Sequence, residues 1–366
     1  MNIWKHSILA AATLLLAACT TNSNDEGLLR MLVGTYTDGN DSRGAYLFTF
    51  NQEDASWALL DTAKAGNPSF IIPSEDRTRA WSVGEFEDGR QGAYSYSLSD
   101  SNLDVLNFQS TDGEASGASP CNIIAAGGSV FTSNYGGGTV SAFPIAADGT
   151  LDPLSSQYVP AGEAPSHIHC AALSPDGKYL FVTDLGLDAI YRFTIGQPSE
   201  PLQDAVVAYQ FDRDVHPGPR HLIFSRDGRF AYLINEIGDY VTTFSYDGGE
   251  LGHIATGLAY DGEGHGSADI HLSPDGRFLY TSHRLKEDGI AIFKVDAENG
   301  TLERAGYCPT GKHPRNFAIT PNGKYLLCAC RDSGAIEIYD IDSSDGSLSY
   351  TGKSIEIPAP VCIQLY

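Results

Sequence analysis

The stretch Ser174-Pro175-Asp176-Gly177-Lys178 leads directly into a β-type run, Tyr-Leu-Phe-Val-Thr at 179–183. The same turn and strand return three more times, with turns at 225–229, 273–277 and 320–324. The second residues of successive turns are 51, 48 and 47 positions apart. Asp-Gly and Asn-Gly pairs favour tight turns because glycine adopts a positive φ without strain. A period of about fifty residues therefore indicates a repeat architecture.

Each repeat has an apolar strand before the turn, a second strand after it, and a third that ends in Phe or Tyr. These strands are rich in β-branched and aromatic residues, as buried strands usually are. The first strand occurs seven times, at 67–73, 119–125, 167–174, 218–225, 268–273, 313–320 and 359–365. A unit of about fifty residues is too long for one turn of a β-solenoid and suits a four-stranded propeller blade. The predicted fold class is all-β, a seven-bladed β-propeller.

The two chain ends complete each other. Segments 31–37 and 45–50 supply a second and a third strand with no first strand before them, and 359–365 is a first strand with no second strand after it. We expect the N- and C-terminal strands to share one blade, which closes the ring and removes its open edges. One propeller domain is predicted over residues 30–366.

The N-terminus has the pattern of an export signal. Lys5 precedes an apolar run at 8–18 that is too short to span a bilayer, so 1–18 is predicted to be a signal peptide. The run ends in Leu-Ala-Ala-Cys, which resembles a bacterial lipobox with Cys19 as the lipidated residue, followed by a polar tether at 19–29. The alternative is an ordinary signal peptide with an incidental cysteine. We expect an exported protein, anchored by lipid to the bacterial envelope (periplasm or outer membrane), with no other membrane contact.

Charge and cysteine content exclude several classes of function. The formal net charge of −23 lacks the basic footprint that nucleic-acid binding requires, so no nucleic-acid partner is expected. An anionic ligand would need a local arginine cluster to overcome this charge. The cysteines after Cys19 have no C-x-x-C spacing, which disfavours a zinc site, and no disulfide pairing can be assigned. No cofactor is expected.

Polar residues concentrate where the blades should meet. In a propeller the starts of the first strands and the loops after the second strands open onto one face, so their side chains converge. The candidate residues at these places are His169, Arg220, His221, His271, Arg315, Glu85, Asn134, Glu236 and Arg284. Buried polar groups must be paired, so these groups could simply satisfy one another. Several arginines together with a Glu and several His exceed what packing needs, because charge is costly to desolvate, and this favours a site.

Metal binding is the main chemical alternative. His167 and His169 are two residues apart and would lie on one strand face, but the nearby arginines argue against a divalent cation, so no metal is expected. Nucleophilic serine catalysis is disfavoured because the chain has no Gly-x-Ser-x-Gly motif.

Several motifs resemble those of a known family. They are Val-Gly-Thr-Tyr-Thr (33–37), His-Ile-His (167–169), Gly-Pro-Arg-His (218–221), Asn-Glu (235–236), Ala-Asp-Ile-His-Leu-Ser (268–273) and His-Pro-Arg-Asn-Phe (313–317). In order and spacing, over nearly all of 30–366, they resemble the seven-bladed lactonase family, which includes the propeller-type 6-phosphogluconolactonase and the fungal muconate lactonising enzyme. The resemblance implies hydrolysis of a lactone. Its catalytic residues would be His169, Arg220, Glu236 and Arg284, although the family commonly has Asn or Asp where His283 precedes Arg284.

The implied chemistry is consistent with these residue types. Lactone opening passes through a tetrahedral oxyanion, which Arg220 and Arg284 could stabilise, while either Glu236 or His169 could act as general base. The expected partner is a small sugar lactone, contacted by the substrate-binding residues His221, His271, Arg315, Glu85 and Asn134. A non-catalytic exported propeller that binds a glycan or a protein is the alternative, because fold and function are separable.

Overall fold

The computed structural model describes residues 27–86, 89–212, 214–260, 262 and 266–366. The predicted signal peptide, Cys19 and most of the predicted tether lie outside the described residues. The first strand begins at Leu28, whose partner across the sheet is Asn51, so the end of the predicted tether belongs to the propeller.

The described chain forms seven four-stranded antiparallel sheets, which confirms the predicted seven-bladed all-β propeller. Blade 1 contains β1 (Leu28–Thr35), β2 (Gly44–Asn51) and β3 (Trp57–Lys64). Blade 2 contains β4 (Ile71–Pro73), β5 (Arg79–Glu85), β6 (Gln91–Leu98) and β7 (Leu103–Ser110). Blade 3 contains β8 (Pro120–Ala126), β9 (Ser129–Asn134), β10 (Thr139–Pro144) and β11 (Ser156–Tyr158). Blade 4 contains β12 (Ile168–Leu173), β13 (Tyr179–Asp184), β14 (Ala189–Ile195) and β15 (Leu202–Gln210).

Three more blades complete the ring. Blade 5 contains β16 (Pro219–Phe224), β17 (Phe230–Asn235), β18 (Tyr240–Asp247) and β19 (Glu250–Leu258). Blade 6 contains β20 (Ser267–Leu272), β21 (Phe278–His283), β22 (Gly289–Val295) and β23 (Leu302–Pro309). Blade 7 contains β24 (Pro314–Ile319), β25 (Tyr325–Cys330), β26 (Ala335–Ile341) and β27 (Leu348–Glu356), with a 3-10 turn at Arg331–Ser333. In the described ranges no helix is long and apolar enough to cross a bilayer.

The chain ends close the ring as predicted. The last strand, β28 (Pro360–Leu365), pairs antiparallel with β1 and becomes the innermost strand of blade 1. Val33 lies opposite Ile363 in this pairing. Every blade therefore has four strands, and blade 1 is completed by strands from both ends of the chain.

The core lies between neighbouring blades. The second strands are the most buried elements, and β17, β21 and β25 are buried at every residue. One apolar cluster joins Tyr232 and Ile234 of blade 5 to Ile270 and Leu279 of blade 6. The outermost strands carry exposed residues and cover these clusters from the solvent side.

The two faces of the ring carry different connections. We call the face with the loops after the second strands the upper face, and the face with the turns between first and second strands the lower face. The N-terminal strand enters from the lower face: the carbonyl of Gly27 accepts from Gln52 N at 2.9 Å, and Gln52 Oε1 accepts from Asn322 N in the turn between β24 and β25 at 3.0 Å.

A bulge interrupts the inner strand of six blades near the upper face. In each, the register with the second strand shifts between neighbouring pairs, for example between Pro219 and His221. The residues passed over in blades 3, 4, 5 and 7 are Cys121, His169, Arg220 and Arg315. A bulged residue is unpaired in the ladder and its side chain is re-aimed, so this device positions the site.

Candidate active site

The first residue after the second strand, or in blade 2 the last residue of that strand, stands at the channel entrance on the upper face. In six blades its backbone N–H donates to a carbonyl near the start of the inner strand of the same blade, as Glu236 does to Gly218 at 2.8 Å. Together with Arg284 in blade 6, these positions form what we call the entrance ring: Tyr36, Glu85, Tyr135, Leu185, Glu236, Arg284 and Arg331.

In blades 3 and 5 the residue before the entrance position is an asparagine whose side chain is bonded within its own blade. Asn134 is fully buried, and its Nδ2 donates to Thr139 Oγ1 and Ser141 Oγ, each at 2.9 Å. Asn235 makes the corresponding bonds in blade 5, to Tyr240 O and Thr242 Oγ1. The Asn134 side chain therefore lies inside the blade and Tyr135 holds the entrance position, while the substrate contact expected of Asn134 stays a prediction.

Two arginines hold one carboxylate at the entrance. Arg220 Nε donates to Glu236 Oε2 at 2.6 Å, and Arg284 Nη2 lies 2.8 Å from Glu236 Oε1. The Arg220 and Arg284 side chains are 1% and 6% exposed, whereas that of Glu236 is 25% exposed. Three residues from two neighbouring blades are thus brought together as predicted, with the carboxylate at the solvent side.

Backbone carbonyls fix both guanidinium groups. Arg220 Nη1 donates to the carbonyl of Ala268, and Arg284 Nε donates to the carbonyl of Gly266 at 3.0 Å. Burial alone would raise the pKa of Glu236, but Arg220 and Arg284 outweigh it and hold this pKa below its ordinary value. Glu236 is therefore ionised at neutral pH, and its two oxygens are each committed to a guanidinium.

His169 lies beside this cluster and has an unsatisfied ring nitrogen. It is 4% exposed, its Nδ1 is buried, and this atom makes no hydrogen bond to a described residue. Its ring packs edge-on against Tyr135 and His221, with centroids 5.8 and 5.2 Å apart. Burial and the positive charge of Arg220 lower the pKa of His169 well below its ordinary value, so the imidazole is neutral.

Arg315 approaches the entrance from blade 7. Its guanidinium lies over the ring of Tyr36, 5.6 Å from the centroid, and within the described ranges it forms no ion pair closer than 4.0 Å. Glu85 is on the same side: burial raises its pKa, which Ser119 and Arg315 partly oppose. Three arginines and two glutamates are therefore close together here. Of the three arginines, Arg315 is the one without an ion-pair partner in the described ranges.

His221 and His271 lie below the entrance, where they share a carboxylate that the sequence prediction did not assign to the site. His221 Nδ1 is 2.7 Å from Asp269 Oδ1, and His271 Nε2 is 2.9 Å from Asp269 Oδ2. Asp269 is 3% exposed. The motif Ala-Asp-Ile-His had placed Asp269 on the inner strand, but only the structure pairs it with His221 of the next blade.

The donor set does not favour a metal. Across the parts of the chain that the structure describes, no three His, Cys, Asp or Glu side chains are grouped to hold an ion. His167 is engaged with Tyr135: its Nδ1 lies 2.9 Å from the carbonyl of Tyr135, and its ring stacks on that tyrosine with the centroids 4.6 Å apart.

Comparison with known proteins agrees with this geometry. Residues 30–365 match the family model described as lactonase, 7-bladed beta-propeller. The chain is 31% identical to a 6-phosphogluconolactonase of Formosa agariphila, over 92% of this chain and 99% of that one. It is similar to the crystal structure of a candidate 6-phosphogluconolactonase of Bacteroides uniformis (46% identity, TM-score 0.87, 93% and 100% of the two chains). It is also similar to the periplasmic gluconolactonase PpgL of Pseudomonas aeruginosa (30% identity, TM-score 0.83, 92% and 99%).

Proposed function

The chain belongs to the seven-bladed β-propeller lactonase family, and on this basis we propose that it hydrolyses a sugar lactone at the channel entrance. The reaction adds one water to the cyclic ester and yields the open hydroxy acid. The observation that carries the proposal is the Arg220–Glu236–Arg284 cluster beside His169, whose Nδ1 has no hydrogen bond to the described residues.

The arginines suit the charge that develops during the reaction. Attack of water on the lactone carbonyl produces a tetrahedral oxyanion, and donors already held in place stabilise it without reorganisation. Carbonyls of blade 6 and Glu236 fix Arg220 and Arg284 before substrate binds. Guanidinium groups held in this way stabilise a developing negative charge more strongly than flexible ammonium groups do.

We assign the role of general base to His169 rather than to Glu236. Both oxygens of Glu236 already accept from arginines, so the carboxylate is committed to holding the two guanidinium groups. His169 is neutral and has a ring nitrogen free to accept a proton from water. Negative charge developing on the oxyanion would stabilise the imidazolium that forms. The imidazolium would then return the proton to the leaving ring oxygen.

Arg315 suits an anionic group on the substrate. It lacks an ion-pair partner within the described ranges and lies over the ring of Tyr36 in blade 1. Arg315→Gln should lower kcat/KM for 6-phosphogluconolactone about 10- to 100-fold, the value of one charge-assisted contact. It should change kcat/KM for gluconolactone less than about threefold. An equal loss on both lactones would contradict this role and indicate a part in the chemistry.

Export and lipid anchoring complete the proposal. The apolar run at 8–18 and the Leu-Ala-Ala-Cys sequence support them, and a similar protein of Pseudomonas aeruginosa is described as periplasmic. The substrate would then be a lactone available outside the cytoplasm. Cys19→Ala should move the protein from the membrane fraction to the soluble fraction of cells. Retention in the membrane fraction would contradict the anchor.

The function is tested by proton release from lactones at neutral pH. The protein starting at residue 20 is mixed with 6-phosphogluconolactone, gluconolactone and galactonolactone, against buffer alone. We expect turnover of at least one lactone, abolished by Arg220→Ala and Glu236→Ala but unchanged by Lys178→Ala, a lower-face variant. Rates equal to buffer on all three, from a folded protein, would contradict hydrolysis of these lactones and favour a non-catalytic binding role.

A further inference from the structure

Asp269 is a buried carboxylate at the centre of the ring that receives donors from three blades. His221 Nδ1 of blade 5 and His271 Nε2 of blade 6 lie 2.7 and 2.9 Å from it. From blade 7, Asn316 Nδ2 donates at 2.6 Å and Phe317 N at 3.3 Å. Burial alone would raise the pKa of Asp269, but the two histidines outweigh it and hold this pKa well below the ordinary value.

An ionised Asp269 decides the tautomer of His221. A carboxylate only accepts hydrogen bonds, so the proton of the His221 ring must be on Nδ1. Burial, together with Arg220, lowers the pKa of His221 to about 4, so the ring is neutral at pH 7 and its Nε2 carries a lone pair. Arg220 Nη1 lies 3.3 Å from this Nε2, and an arginine can only donate.

We propose that Asp269 and His221 are positioning residues for Arg220, and that Asp269 acts by fixing the ring tautomer that lets His221 accept from this guanidinium. With the other tautomer, an N–H on His221 Nε2 would face an N–H of Arg220. Two donors repel, and Arg220 would turn away from its contacts with Ala268 and Glu236. This inference rests on the proposed lactone hydrolysis, in which Arg220 binds the oxyanion. It also changes the role of His221 and His271 from substrate binding to support.

The His221 ring is enclosed by other side chains, so it is better placed for support than for substrate contact. On its remaining sides it meets His169 and Phe70, with ring centroids 5.2 and 6.3 Å away. It is 8% exposed, and both of its nitrogens have a partner in the described structure. His271 and Asn316 occupy the second oxygen of Asp269, so the carboxylate keeps its other oxygen for His221.

The tautomer is measured directly, without reference to activity. In protein labelled with 15N at histidine, the nitrogen shifts and N–H couplings of the His221 ring should show Nδ1 protonated and Nε2 unprotonated at pH 7. The assignment comes from the spectrum of His221→Gln. In Asp269→Asn the proton should move to Nε2. A wild-type ring protonated at Nε2 would overturn the proposal even if lactones are hydrolysed, whereas an inactive protein with the expected tautomer would count against the proposed function instead.

A double-mutant cycle separates positioning from folding. Asp269→Asn should lower kcat/KM about 10²-fold, as loss of one oriented oxyanion donor does. His221→Gln should retain activity within about tenfold, because its amide oxygen can accept from Arg220 and its NH2 can donate to residue 269. With Gln at 221 there is no tautomer to fix, so adding Asp269→Asn should cost less than about threefold.

Two outcomes of the cycle would overturn the inference. One is an equal loss from Asp269→Asn with His or Gln at 221, which would give Asp269 a purely structural role. The other is unchanged activity in Asp269→Asn. The matched control is Asp61→Asn, which removes a partly buried carboxylate that accepts from Leu103 N at 2.9 Å on the outermost strand of blade 1, where it has no contact with the Arg220 cluster. It should lower the melting temperature but change kcat/KM less than about threefold.

Discussion

At the scale of single residues, His169 combines a buried imidazole with a positively charged environment. Arg220, Arg284 and Arg315 all lie near enough to disfavour the imidazolium, and burial adds to their effect. The ring therefore stays neutral in the resting protein. It gains a proton favourably only when negative charge appears beside it, which happens during attack on a lactone carbonyl.

The pH dependence of kcat/KM should report this environment. A base is active when deprotonated, and a lowered pKa keeps His169 deprotonated below pH 6.5, the ordinary histidine value. We expect kcat/KM, measured from pH 4.5 to 7.5 and corrected for spontaneous hydrolysis, to stay level through pH 6.5 and fall only at lower pH. His169→Gln should lower the whole profile without a new inflection.

A fall centred at or above pH 6.5 would contradict this assignment. It would point instead to His271, whose pKa is raised because Asp269 outweighs the effect of burial. His271→Gln is the variant that tests this alternative, because it should then remove the inflection.

The sequence predicted which residue types meet at the entrance, but not how each one is oriented. Arg220, Glu236, Arg284 and His169 follow from motifs on inner strands and in the loops after second strands. Asn134 and Asn235 end equivalent strands, so the position of Glu236 corresponds to Tyr135, which the repeat alignment could have indicated. The pairing of Asp269 with His221 joins two neighbouring blades through residues 48 positions apart in the chain, and no local pattern encodes such a contact.

At the scale of elements, the lower-face turns connect neighbouring blades. Arg277 Nε lies 2.7 Å from Asp275 Oδ2 in its own turn, and its Nη2 donates to the carbonyl of Ser343 in blade 7 at 2.6 Å. Arg229 repeats this arrangement one blade earlier, with the carbonyl of Ala297 as acceptor at 2.6 Å. Where the last residue of the repeated turn is arginine, it is therefore a bridge between blades as well as part of a turn.

Removing one of these bridges should lower stability modestly. We expect Arg277→Ala to lower the free energy of unfolding by about 1 kcal/mol, the value of one exposed charge-assisted hydrogen bond. Lys178→Ala is the matched control, since Lys178 holds the same turn position but lies 3.5 Å from Asp176 Oδ2 in its own turn and is 71% exposed. It should change stability by less than about 0.5 kcal/mol. Equal effects in urea unfolding would contradict the bridge.

The repeated turns made the first, second and third strands predictable, because Asp-Gly pairs and apolar runs are local signals. The outermost strands were not located individually. Strands such as β15 and β19 mix polar and apolar residues and have no fixed turn before them, so their assignment depends on pairing with the third strand. The bulges could not be predicted from the sequence either. They arise because an inner strand must both pair with the second strand of its blade and line the channel.

At the scale of the whole molecule, the ring depends on its last seven residues. Val361, Cys362 and Ile363 of β28 are almost fully buried, and Ile363 N donates to Asn316 Oδ1 of blade 7 at 2.7 Å. Blade 1 thus obtains its inner strand from the opposite end of the chain, so its formation requires the whole ring to be in place.

Removing that strand should destabilise every blade together. A chain ending at Ala359 loses three buried apolar side chains, and we expect a loss of about 5 kcal/mol or more in the free energy of unfolding. A chain lacking only Tyr366 should lose far less, and a synthetic peptide of residues 360–366 should restore the truncated protein. An unchanged midpoint in denaturant for the truncated chain would contradict closure as the source of stability.

The entry of the chain at Gly27 on the lower face has a consequence for any protein held by its N-terminus. Gly27 and the channel entrance lie on opposite faces of the ring, so a support that holds the chain close to Gly27 faces the lower face and leaves the entrance open. Small solutes can then reach the arginines at the channel entrance without obstruction by the support. Molecules fixed side by side on a bead or a vesicle should turn over substrate as fast as the same molecules in free solution.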